Sequence, residues 1–96
     1  MNLRVEIIGN RSIQEDLFEA LEKNKIESRY TMITETLGDG RSGPRRGDAT
    51  WPEENFILIM YCEKTVAREI RRIVDGVKEH FPGEGLKMFA VKTEEI

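Results

Sequence analysis

The hydrophobic period along this chain runs strand, helix, strand, and then runs strand, helix, strand again, an order that few folds can satisfy. Leu3, Val5 and Ile7 alternate with Arg4 and Glu6, the pattern of a strand with one buried face, and Gly9-Asn10 ends it. Ser12 followed three residues later by Glu15 has the spacing of a capping box, which predicts a helix running to about Asn24. Ile13, Leu17, Ala20 and Leu21 would form its apolar stripe. A second strand is expected from about Glu27 to Leu37, with Tyr30, Met32 and Thr34 on one face and Arg29, Thr31, Ile33 and Glu35 on the other. Asn55 to Cys62 reads as a third strand, apolar on both faces, so both are expected to be covered. Val66, Ile70, Ile73, Val74, Val77 and Phe81 mark a second helix from about Thr65 to His80. Pro82-Gly83 stops it, and Leu86 to Val91 is the fourth strand.

This order is βαββαβ, an α+β ferredoxin-like sandwich in which two helices cover one face of a four-stranded antiparallel sheet. With 96 residues there is room for one core, so residues 1–96 are expected to form a single domain. The other sheet face would expose part of the apolar set from Phe56 to Tyr61 and from Phe89 to Val91, which predicts self-association; the alternative is that only one face is buried and the rest is tolerated exposure. A hydrophobic content of 39% is enough for a packed core and excludes a disordered chain. A net charge of −3 argues against a nucleic-acid or anionic-membrane partner. The longest apolar run, Phe56 to Cys62, is too short to span a bilayer, so the protein is not expected to be membrane-embedded. The first residues carry charge where a signal peptide needs an apolar stretch, and the single cysteine cannot form an internal disulfide. Both point to a cytoplasmic protein.

No acid, base and nucleophile come together in the sequence, so no enzyme is expected. The lone His80 ends a helix, where it complements the helix dipole or is simply solvated. Cys62 closes an apolar strand and reads as a small core residue. The neighbours in Glu53-Glu54 and in Glu94-Glu95 point to opposite sides of an extended backbone, so no metal site is expected from them. The segment from Gly38 to Glu54 holds four glycines and two prolines, has no hydrophobic period, and reads as a long loop without structure. In a small domain such a loop is functional or disordered. Gly38 and Gly40 let backbone amides approach an anion, and Arg41, Arg45 and Arg46 bring donor forks suited to phosphate or carboxylate. Trp51 offers a stacking or partner-anchoring surface. The glycine spacing fits neither a P-loop nor a dinucleotide fingerprint. Asp39, Asp48, Glu53 and Glu54 make the loop mixed in charge, so composition leaves a solvated loop and a binding loop both open.

Several stretches resemble the P-II signal-transduction family and its wider P-II-like superfamily. Thr34-Glu35-Thr36-Leu37-Gly38-Asp39-Gly40-Arg41 resembles the Thr-Glu-x-x-Gly-x-Gly-Arg motif with which that family opens its mobile T-loop. Leu3 to Ile8 has the character of the family's first strand, and Glu19-Ala20-Leu21 resembles a motif of its first helix. Arg46-Gly47 resembles an Arg-Gly pair within the T-loop. Gly83-Glu84-Gly85 before Leu86 is similar to the Gly-Asp-Gly turn that leads into the last core strand.

The resemblance implies a homotrimer with sheets lining its centre and an adenine nucleotide in the clefts between subunits. It also implies a T-loop, here about Gly38 to Glu54, that changes shape and docks on a transporter, enzyme or regulator. Carried over by motif, Gly38, Gly40 and Arg41 lie near the phosphates from one side, and Gly83 and Gly85 wrap them from the other. Arg45, Arg46 and Trp51 would belong to the partner-docking part of the loop. The sequence departs from the family at four places. Leu86 stands where a phosphate-turn lysine is usual, with Lys87 one later, and Ser42 replaces the glutamine that arranges magnesium and 2-oxoglutarate. Arg45 takes the place of the tyrosine modified by uridylylation, and the chain stops at Ile96, before the basic C-terminal segment. The expectation is a divergent, non-catalytic P-II-like regulator responding to a small anionic ligand. The alternative is a CutA-like metal-responsive or structural trimer, gathering Cys62, His80 or loop carboxylates between subunits.

Overall fold

A computed structural model describes residues 3–26, 29–40, 43–45 and 54–96. Its elements are β1 (Leu3–Asn10), a 3-10 turn (Arg11–Ile13), α1 (Gln14–Lys23), β2 (Tyr30–Thr36), β3 (Gly38–Gly40), β4 (Gly43–Arg45), β5 (Asn55–Cys62), α2 (Lys64–His80) and β6 (Leu86–Lys92). β1, β2, β5 and β6 make one antiparallel sheet in the order β2-β5-β1-β6. Both helices lie on one face, giving the expected α+β sandwich.

Alternation decides which side chains enter the core. Val5 pairs with Met60 and Ala90, and Ile7 with Leu58 and Met88. Val5, Ile7, Phe56, Leu58 and Met60 thus form a buried floor under Leu17 and Leu21 of α1 and Ile70 and Val74 of α2. On α2, Ala67 is buried with Ile70, Val74 and Val77, while Val66, Ile73 and Phe81 pack at the margin of that stripe. Glu15 and Asp16 in the first turn of α1, and Lys78 and His80 in the last turn of α2, complement the helix dipoles.

Three sequence expectations are corrected. The cap before α1 is Asn10 rather than Ser12: its Oδ1 accepts the Ser12 amide at 2.9 Å. The 3-10 turn opens one step earlier than the capping box implies, so Ser12 lies inside the turn and Asn10 takes the extended cap geometry. The segment from Gly38 is not structureless throughout, because β3 and β4 pair as a separate two-stranded ribbon, with Asp39 opposite Pro44 and Gly40 opposite Gly43. β2 starts at Tyr30, and a bulge shifts its register between Ile33 and Thr36, where Glu35 takes a left-handed φ of 59°. As expected of a sheet with helices on one side, β5 is covered within one chain only on its helix face. Ile33, Tyr61, Phe89 and Val91 stand exposed on the other.

Candidate functional site

Four strand ends meet at one end of the sheet. Gly9 pairs with Phe56 and Leu86, Asn10 with Asn55, and Asn55 with Thr36, so β1, β2, β5 and β6 all reach the same rim. The Thr36 hydroxyl donates to the Asn55 carbonyl at 3.0 Å and clamps the two ends of the long segment together. The Arg11 amide donates to the Glu54 carbonyl at 2.7 Å, tying the end of that segment to the turn before α1. Arg11 Nη1 also lies 3.6 Å from Glu54 Oε2. On the far side of β1, the Asn10 amide donates to the Gly85 carbonyl at 2.9 Å. Asn10, only 2% exposed, therefore fixes the β6 turn through its backbone and the start of α1 through its side chain.

The sequence-derived site residues distribute around this rim. Gly38 and Gly40 are the ends of β3, just beyond Thr36, and Arg45 closes β4. Arg41, Arg46 and Trp51 lie outside the described residues. Gly83 and Gly85 sit between α2 and β6, in a turn closed by the Glu84 amide donating to the Phe81 carbonyl at 3.0 Å. Because β2 and β6 are the two outer strands, the β2 rim and the Gly83–Gly85 turn share an end of the sheet but not an edge. Three strand spacings separate those edges, roughly 14 Å. One chain brings the two glycine pairs to the same rim and leaves them apart.

Sequence reasoning gave no rim role to Asn10, Arg11 or Glu54, and read Thr36 only as part of a motif. Glu54 read as half of an uninformative acidic pair, and the only sign of a role was its position next to the first residue of β5.

Within one chain, Cys62 and His80 do not converge. Cys62 ends β5 just before α2, and His80 ends α2. The 17 residues of that helix hold them apart, about 25 Å along the axis. Burial pushes the Cys62 thiol above its ordinary pKa, and the charge of Glu63 adds to the effect, so a metal-binding thiolate is disfavoured. Among the described residues, no three His, Cys, Asp or Glu side chains group to hold a metal ion, and no helix is long and apolar enough to cross a membrane.

No protein-family model and no curated protein sequence matches the chain. Solved structures do. CPII of Thiomonas intermedia K12, a nitrogen regulatory PII-like protein bound to ADP and bicarbonate, superposes with a TM-score of 0.71 at 16% identity, over 96% of this chain and 85% of that one. A PII-like signalling protein of Thermus thermophilus gives 0.66 at 18% identity, over 96% and 86%. A DUF3240-family protein of Shewanella baltica gives 0.70 at 15% identity, over 99% and 92%. The fold is PII-like. At these identities the likeness is one of architecture, and it agrees with the βαββαβ order read from hydrophobic period. Within the PII-like fold, the rim where Thr36, Glu54, Asn10 and Gly85 meet is where the long segment leaves the sheet.

Proposed function

We propose that this chain is a non-catalytic PII-like regulatory protein that assembles as a homotrimer. Its T-loop, about Gly38 to Glu54, responds to a small anionic ligand, an adenine nucleotide, and docks on a protein target. The observation that carries the reading is the split of the rim. The ribbon of Gly38 and Gly40 follows one outer strand, and the Gly83–Gly85 turn precedes the other, at the same end of the sheet. Copies arranged around an axis set one edge of each against the opposite edge of the next, so the two glycine pairs would meet across a subunit boundary. There the amides of Gly38 and Gly40, with Arg41, would face the phosphates from one copy, and Gly83 and Gly85 from its neighbour. Arg45, Arg46 and Trp51 would face the protein target. The ligands in CPII, ADP and bicarbonate, support this choice of ligand class.

Among the described residues of one chain, Cys62 lies in the core and His80 at the other end of α2, an arrangement that lends no support to the metal-responsive alternative.

The test is titration calorimetry with ADP, AMP and bicarbonate on protein whose mass is measured by light scattering. The expected result is a trimer that binds an adenine nucleotide at up to one site per subunit boundary. A trimer that binds none of the three would remove the ligand half of the reading, and a monomer would remove the shared site.

A further inference from the structure

We propose that the Arg4–Glu6 ion pair selects a second copy of this chain as the occupant of the open sheet face; this rests on the trimeric reading above. Strand register lays that face out in rows. Tyr61, Arg4 and Val91 lie side by side, then Ile59, Glu6 and Phe89, then Ile57, Ile8 and Lys87. The field is mostly apolar, and Arg4 and Glu6 sit inside it, on an inner strand. Arg4 Nε lies 2.9 Å from Glu6 Oε2, and Arg4 Nη1 donates to the Tyr61 hydroxyl at 3.4 Å. Their side chains remain 39% and 30% exposed overall, although Arg4 Nε itself is buried and makes no well-aligned hydrogen bond among the described residues.

The pair discriminates among occupants. A guanidinium has five N–H donors and a carboxylate two acceptor oxygens, so the pair presents unlike charges side by side. A purely apolar partner would strip water from both groups and supply nothing in return. A polyanion would meet Glu6 as a like charge. A second copy brings its own Arg4 and Glu6, so each guanidinium can reach a neighbour's carboxylate, and the face is complementary to itself in charge as well as in apolar area. Once covered, the pair is desolvated. Removing one member then leaves an uncompensated charge in an apolar interface, whereas removing both leaves an apolar contact. In an uncovered chain the same single changes act on groups partly open to water and cost little.

The test compares the wild-type protein with Glu6→Gln, Arg4→Met and the double variant Arg4→Met/Glu6→Leu. Sedimentation velocity over a concentration series reads assembly, and circular dichroism reads folding. Each single variant is expected to stay folded and to dissociate at roughly tenfold or more higher concentration than wild type, while the double variant assembles at least as tightly as wild type. In a mixing experiment, the charge-exchanged variant Arg4→Glu/Glu6→Arg is expected to assemble with itself and to be excluded from wild-type oligomers. Single variants that assemble like wild type, or free mixing of the charge-exchanged chain, would overturn the role of the pair and leave the trimer standing. A double variant weaker than either single would also overturn it. A wild-type protein that stays monomeric throughout would overturn both.

Discussion

Arg11 and Glu54 are joined twice, by a backbone hydrogen bond of 2.7 Å and by side chains whose charged atoms lie 3.6 Å apart. The two bonds differ in weight. The backbone bond pairs groups that would otherwise lack a partner at a sheet rim. The side-chain contact is long, and Arg11 is mostly exposed. Arg11→Ala should therefore lower unfolding free energy by roughly 1 kcal/mol, since Arg11 is exposed but the Glu54 side chain is only 20% exposed and its Oε2 has no hydrogen-bond partner among the described residues. Urea denaturation measures this. A loss well above that would mean the guanidinium carries structure at the rim that its exposure does not reveal.

Gly9 should resist substitution for a steric reason. A Cβ placed there would lie 2.9 Å from both Leu86 Cδ1 and Phe56 Cζ, the residues its strand register sets on either side. Gly9→Ala is expected to cost about 1–3 kcal/mol through overpacking. Trimming Leu86 to Val in the same chain should recover part of that, and thermal unfolding of the three proteins checks it. An unchanged midpoint in Gly9→Ala would show that the Phe56 ring can swing clear.

The parts of the fold legible in the sequence are those written in apolar side chains. Val5 and Ile7, or Ile70, Val74 and Val77, announce their element because burial selects residues at its period. The β3–β4 ribbon has no such mark. Gly38, Asp39 and Gly40 pair with Gly43, Pro44 and Arg45 through the backbone, so hydrophobic period has nothing to register. The cap failed differently: Asn10 and Ser12 are both good caps, and the choice depends on a 3-10 turn that neither residue type encodes. The candidate site was half legible. Two Gly-x-Gly stretches are visible in the sequence, but their separation on opposite edges depends on the pairing order β2-β5-β1-β6, which needs the register.

Asn10→Ala tests the cap. The Oδ1 bond to the Ser12 amide is lost while the backbone bond to Gly85 can persist. The expected cost is about 0.5–2 kcal/mol in chemical denaturation, with Asn10→Ser recovering part of it because a neutral hydroxyl also caps without burying a charge. A neutral Asn10→Ala would return the capping role to another group.

Cys62 gives the stability a pH dependence at the alkaline end. Burial, reinforced by the Glu63 charge, raises the thiol pKa in the folded chain. The folded state therefore holds its proton at pH values where the unfolded chain has lost it. This contribution is complete below the ordinary thiol pKa and falls away as pH rises through the folded value. Urea midpoints at neutral pH and near pH 10 should diverge more for wild type than for Cys62→Ala, in which the thiol is absent. Equal divergence in the two proteins would assign the alkaline loss to other groups.

The proposed site shared between subunits leads to a test that no single-chain site can pass. Arg41→Ala should weaken adenine-nucleotide binding by about 1–3 kcal/mol, the cost of a lost hydrogen bond to a charged group. Gly85→Asp should weaken it by adding a negative charge at the turn. A Cβ at Gly85 meets nothing within 4 Å, so the backbone there has room for a side chain, and circular dichroism of the variant checks its folding. If each site draws its loop from one copy and its turn from the next, the two defective chains complement each other. Unfolding and refolding them together in equal amounts creates boundaries where an intact loop meets an intact turn. With random assembly around a ring, about a quarter of the sites should regain wild-type affinity. Calorimetry of the mixture against ADP reads that fraction directly. No recovery, in a mixture shown by mass spectrometry to contain mixed oligomers, would place loop and turn in the same subunit's site or in no common site at all.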